Sequence, residues 1–78
     1  MSVTAYVLIQ TEVGRAEKVA TAARAISGVV EADNVAGPYD VIVKAQSESL
    51  DDLGRLVVSE IQKVEGITRT FTCPVVNL

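Results

Sequence analysis

Two helical stripes, each set between runs that alternate every second residue, constrain this chain more than any other feature. Ala16, Val19, Ala20, Ala23 and Ile26 recur at the spacing of one helix face, with Arg15, Glu17, Lys18 and Arg24 on the other side. Leu50, Leu53, Val57, Ile61 and Val64 repeat the pattern. The spacing predicts helices over 15–27 and 50–64. Gly28 and Gly66 stand where a helix C-terminus favours a residue free to take positive φ. Ser49 is placed to cap the second helix, with Asp52 three residues on as an imperfect capping box. Around the stripes lie four strand-like runs, at 3–10, 29–36, 39–46 and 67–76, with Gly37-Pro38 marking a tight turn between the middle two.

The predicted order is therefore βαββαβ. Each βαβ half requires a right-handed crossover. The economical arrangement is ferredoxin-like α+β: a four-stranded antiparallel sheet with both helices on one face. Its first and third strands are central, and its second and fourth are edges. Pro74 in the last strand agrees with an edge, because proline cannot donate to a ladder. Glu31, Asp33 and Asn34 give the second strand a polar character that also suits an edge.

The chain has 78 residues, half of them apolar and very few aromatic, so the core is built from Val, Ile, Leu and Ala. A single domain of this size buries only about 60–65% of its unfolded surface. One cysteine cannot form an internal disulfide, and a reducing cytoplasm fits it best. Association between copies is then the expected extra source of stability. The strands supply a surface for it. Tyr6 and Leu8 lie opposite Val7 and Ile9 in facing, and Ile42 opposite Val41 and Val43, so both sheet faces carry apolar groups. A helix-free apolar face reads as an interface between two copies; the plainer reading is scattered surface apolar residues.

Several function classes are disfavoured. The net charge is −3 and Lys and Arg are dispersed, whereas nucleic-acid surfaces cluster them. With no histidine, a Ser-His-Asp or Cys-His mechanism within one chain is excluded. The glycines stand apart and form no phosphate loop. No apolar stretch approaches the roughly 18 residues that suggest a membrane span. No metal, cofactor or catalytic residue is expected, and Glu12, Glu17, Glu48, Asp51 and Asp52 read as helix-start charges.

The residues that could bind something centre on "NVAGPYDVIV". Asp40 stands at the mouth of an apolar strand, just after the Gly37-Pro38 turn. It either hydrogen-bonds its own turn, as many hairpin Asp residues do, or accepts from a ligand ammonium while free turn N–H groups hold a carboxylate. Thr68, Thr70 and Thr72 share one face of the last strand. They are either simply good strand formers or, on the uncovered face, hydroxyls for a ligand pocket. Cys73 reads as a structural thiol.

The segments "VTAYVLIQT", "ISGVVEADNVAGPYDVIVKA" and "LGRLVVSEIQKVEGITRTFT" resemble the effector domain of the Lrp/AsnC transcription regulators, the domain for regulation of amino-acid metabolism. The resemblance runs from Val3 to Val76. Its most specific parts are the turn Val35, Gly37, Tyr39, Asp40 and the Glu65-Gly66-Ile67 ending before the threonine-rich strand, where Glu65 replaces the family's usual proline. The resemblance implies a dimeric α+β barrel, sheet packed on sheet, assembled into octameric or decameric rings. It further implies an amino acid or similar effector in clefts between dimers. Matched positions place Asn34, Gly37, Pro38, Tyr39 and Asp40 at the ligand, with Leu50, Thr72 and Cys73 as further candidates. Asp40 and the Gly37 backbone would address the ammonium and carboxylate. Regulators of the family carry an N-terminal helix-turn-helix, absent from 1–78, so a single stand-alone effector module without direct DNA binding is expected, with full-length regulators as candidate partners. Two alternatives are a small dimeric enzyme of the same fold class, or another amino-acid-binding regulatory βαββαβ domain, whose Gly-rich first loop is missing here.

Overall fold

The computed structural model describes residues 2–77; Met1 and Leu78, the two ends of the expected single-domain span, lie outside them. The elements follow the predicted order: β1 Val3–Thr11, α1 Ala16–Arg24, β2 Val29–Asn34, β3 Val41–Ser47, α2 Leu50–Ser59 and β4 Ile67–Pro74. All strand pairs are antiparallel, in the order β2-β3-β1-β4. The fold is thus ferredoxin-like βαββαβ, with β1 and β3 central and Pro74 on an edge strand, where its missing N–H costs no ladder bond.

Register explains the core. Ala5, Val7 and Ile9 of β1 face Ala45, Val43 and Val41 of β3 across the ladder, and all six are fully buried. Onto this floor α1 sets Val19, Ala20 and Ala23, and α2 sets Leu53 and Val57. Small alanines on α1 let its backbone approach the sheet closely. No polar or charged side chain is buried among the described residues. The intervening β1 residues, Tyr6 and Leu8, share the other face with Ile42 and Lys44 of β3 and Phe71 of β4. No helix covers that face, and Tyr6 and Phe71 remain about two-fifths exposed.

The helices are shorter than their stripes. α1 stops at Arg24, but Ala25 and Ile26 donate to Ala22 and Ala23 in tighter i→i−3 turns, which keep Ile26 against the core. α2 stops at Ser59, and a single 3₁₀ turn, Ile61–Lys63, carries Ile61 to full burial. The sequence stripe therefore reports the buried face correctly and overstates the length of regular helix. Ser49 caps α2, its Oγ accepting the Asp52 N–H at 3.1 Å. The strands also end differently. β2 closes at Asn34 rather than 36, and β3 begins at Val41 rather than 39, because residues 35–40 form the connecting turn.

One sequence reading is corrected. Thr70 and Thr72 pair with Ile9 and Val7, whose side chains are in the core, so both threonines face the helix side and not the uncovered face. Thr68 spends its hydroxyl proton on the Gln10 carbonyl at 3.2 Å.

Two glycines test these packing arguments in opposite directions. Gly28 has φ +96°, and a Cβ there would lie 2.9 Å from Leu56 Cδ2 and 3.2 Å from the Gln46 carbonyl. Gly54 lies inside α2 with no atom within 4 Å of that position. In urea unfolding, Gly28→Ala is expected to destabilise by about 1–2 kcal/mol or more, and Gly54→Ala to stabilise by about 0.5–1 kcal/mol.

Candidate functional site

The turn at residues 35–40 is anchored to the end of β1. Ile9 and Val41 are the last paired residues of the β1–β3 ladder. Beyond them, the Asp40 N–H still reaches the Ile9 carbonyl at 2.9 Å, but the backbone of the turn then departs. Thr11 is left with an N–H that no β3 carbonyl can take. The Asp40 carboxylate fills the gap, its Oδ2 accepting that N–H at 2.8 Å. A side chain continues the ladder where the backbone cannot. Such a bond to an ionised acceptor is stronger than a neutral one.

Two further bonds close the turn. Val35 donates to the Asp40 carbonyl at 3.0 Å, and the Gln10 side-chain amide donates to the Pro38 carbonyl at 3.0 Å. Gly37 takes φ +138° with open space around it, so the backbone conformation, and not crowding, calls for glycine there. Tyr39 reaches over the uncovered face to β4, its ring 5.9 Å from Phe71 at 74° in an edge-to-face contact. The Arg69 guanidinium sits 5.2 Å from the centre of the Phe71 ring on the same strand.

The expected site residues fall into two groups. Asn34, Gly37, Pro38, Tyr39 and Asp40 come together at one end of the sheet, with Asp40 half-buried. Leu50 begins α2 immediately after β3 and so lies at the opposite end, a strand length of roughly 23 Å away. Thr72 pairs with Val7 and Cys73 with Tyr6, so the two point to opposite faces of β4; Cys73 is an exposed free thiol. A single chain does not unite Leu50 with the turn.

Of the two readings of Asp40, its carboxylate bonds neither its own turn nor only solvent; it ties the turn to β1. One oxygen is committed to Thr11, and Oδ1 makes no hydrogen bond among the described residues. Gln10, Thr11 and Phe71 are partners of the turn that the motif did not reveal. The signal available was topological: the ferredoxin-like order sets the end of the first strand beside the start of the third.

Removing that tie has a measurable cost. Asp40→Ala leaves the Thr11 N–H without its charged acceptor, and a loss of about 1–3 kcal/mol in chemical denaturation is expected. Asp40→Asn keeps an acceptor oxygen and is expected to lose less than about 1 kcal/mol. Equal losses in the two variants would show that the carboxylate does not hold β1.

Comparison with known proteins places this architecture. A profile described as the Lrp/AsnC ligand binding domain matches residues 4–77. An uncharacterized HTH-type transcriptional regulator of Pyrococcus furiosus is 31% identical over 75 residues, covering 92% of this chain and 50% of the relative. The chain thus spans about half the length of the curated relatives it matches. Among solved structures, a hypothetical protein of Pyrococcus horikoshii superposes with TM-score 0.88 at 34% identity, covering 97% of this chain and 92% of that one. The fold is also that of Escherichia coli AsnC, with TM-score 0.88 at 22% identity over 97% of this chain and 52% of that one. A transcriptional regulator of Neisseria meningitidis solved as a complex with L-Met shares it too, with TM-score 0.82 at 14% identity over 96% of this chain and 50% of that one. From the first strand to the end of β4 the match is continuous, and the chain belongs to the Lrp/AsnC ligand-binding domain family.

Proposed function

We propose that this domain is a non-enzymatic sensor for a small molecule, an amino acid by preference, bound at the turn 34–40. The observation that carries this reading is the state of Asp40: one carboxylate oxygen is fixed by Thr11, and the other is left for a ligand on a half-buried side chain. A carboxylate already oriented by a backbone bond recognises an ammonium group with little further ordering, which favours affinity. The turn backbone around Gly37 supplies the complementary donors for a carboxylate. Membership of a ligand-binding family supports the class of activity, and the regulator solved with L-Met supports an amino acid as its kind of ligand.

Assembly belongs to the same reading. The uncovered face of the sheet, with Tyr6, Leu8, Ile42 and Phe71, is the surface through which two copies pair. Leu50, Thr72 and Cys73 then contribute to the pocket from a neighbouring chain, which resolves their distance from the turn. Octameric or decameric rings follow if dimers associate through those clefts. Full-length regulators of the family are candidate partners through the same surfaces. The acidic net charge disfavours direct DNA binding by these residues. No helix among the described residues is long and apolar enough to cross a membrane, and the lone exposed thiol suits a reducing cytoplasm.

Binding tests the reading directly. A thermal-shift screen of the twenty amino acids is expected to find at least one that raises the midpoint, with affinity then measured by calorimetry. Asp40→Asn is expected to weaken that affinity by ten-fold or more while keeping the wild-type unfolding midpoint within a few degrees. Unchanged affinity in Asp40→Asn would remove Asp40 from the site.

A further inference from the structure

A second set of polar groups converges at the outer edge of β4, away from the turn. There a depression of about 360 Å³ is lined by Gln62, Ile67, Thr68, Arg69 and Thr70. At about 30 Å³ per water, the volume holds a small molecule together with several waters.

Its side chains are rich in unspent donors. Thr70 Oγ1 accepts from the Gln62 amide at 3.4 Å, so its own proton remains available, as does the second amide N–H of Gln62. Arg69 forms no ion pair among the described residues, where Arg55 pairs with Asp52 and Lys63 with Glu60. Its guanidinium instead lies over Phe71, and Phe71 is itself held by Tyr39. Stacking employs the flat face of a guanidinium and leaves the N–H groups at its rim without a protein acceptor. Against these donors the depression sets the Gln62 carbonyl oxygen and the Thr68 hydroxyl, whose proton is already given to Gln10. A place with one pre-oriented cation and a surplus of donors is suited to an anion. A guanidinium with a fixed plane matches an acceptor whose two oxygens lie in one plane.

We propose that the outer edge of β4 binds a small carboxylate, with Arg69 supplying the charge and the bidentate fork and Thr70 and Gln62 the flanking donors. This site is separate from the turn. Arg69 pairs with Gln10 on the β4 side of β1, whereas Asp40 bonds β1 from the β3 side, so two strand spacings of roughly 10 Å in all divide them. The inference therefore does not rest on the effector reading.

The test is an amide- and guanidinium-detected NMR titration of the wild-type chain with sodium acetate, with sodium chloride and inorganic phosphate at matched ionic strength. Saturable shifts at the Thr70 amide and Arg69 Nε–H are expected with acetate. Affinity is expected to fall at least ten-fold in Arg69→Gln, and to a lesser degree in Arg69→Lys, which keeps the charge and loses the fork. Phe71→Leu, which removes the stacking platform, is expected to weaken binding several-fold. The proposal is overturned by any of four results: no saturable shift with acetate, the same shifts with chloride, equal affinity in Arg69→Gln, or tighter binding of phosphate than of acetate.

Discussion

Strand β1 is hydrogen-bonded on both sides, to β3 along Val3–Ile9 and to β4 from Ala5 to Thr11. Everything else in the fold is arranged by that double pairing. It fixes which β1 side chains point to the helices, and these are Ala5, Val7 and Ile9, all fully buried. It fixes the opposite set, Tyr6 and Leu8, as the centre of the face that no helix covers. A slip of one residue would exchange the two sets and send the apolar floor of the core into solvent. In a domain this small, with no disulfide and no buried polar network, that alternation is what specifies a single structure.

The candidate site is a consequence of where the β1–β3 pairing stops. A ladder that ends leaves an unpaired N–H, and a semi-buried one is costly unless an acceptor is found. Asp40 provides the acceptor and in doing so positions the turn beside it. The same residue thus has a structural duty and a free oxygen. These two roles need not compete, because a carboxylate has enough lone pairs for both. The aromatic contact from Tyr39 to Phe71 extends the anchoring across β1 to β4, so the turn is fastened to all three neighbouring strands. An effector held there would meet an ordered surface, and its ordering cost would fall mainly on the ligand.

Much of this was legible locally. The alternation of β1, the stripes of the two helices, the Ser49 cap and the glycines after each helix are all short-range signals, and the antiparallel order followed from them. What could not be read were contacts made over long sequence separations. The Asp40–Thr11 bond joins residues 29 apart, and only the ladder register brings them together. The facing of Thr70 and Thr72 depends on how an edge strand registers against β1, which the threonine pattern itself leaves undetermined. Leu50 follows β3 closely in sequence yet sits at the far end of the sheet from the turn, because a strand separates them by its full length. Helix lengths were overstated because 3₁₀ turns at Ile26 and Ile61 continue the buried face without continuing the α-helix.

The central claim is that the turn and Asp40 form part of an effector site that a second chain completes. It is tested most directly by measuring affinity for the best-binding amino acid across a dilution series spanning the association of the chain, with sedimentation run in parallel. The account predicts that affinity declines together with the associated fraction and is lost in the monomer. Full affinity in a monomeric sample would contradict it.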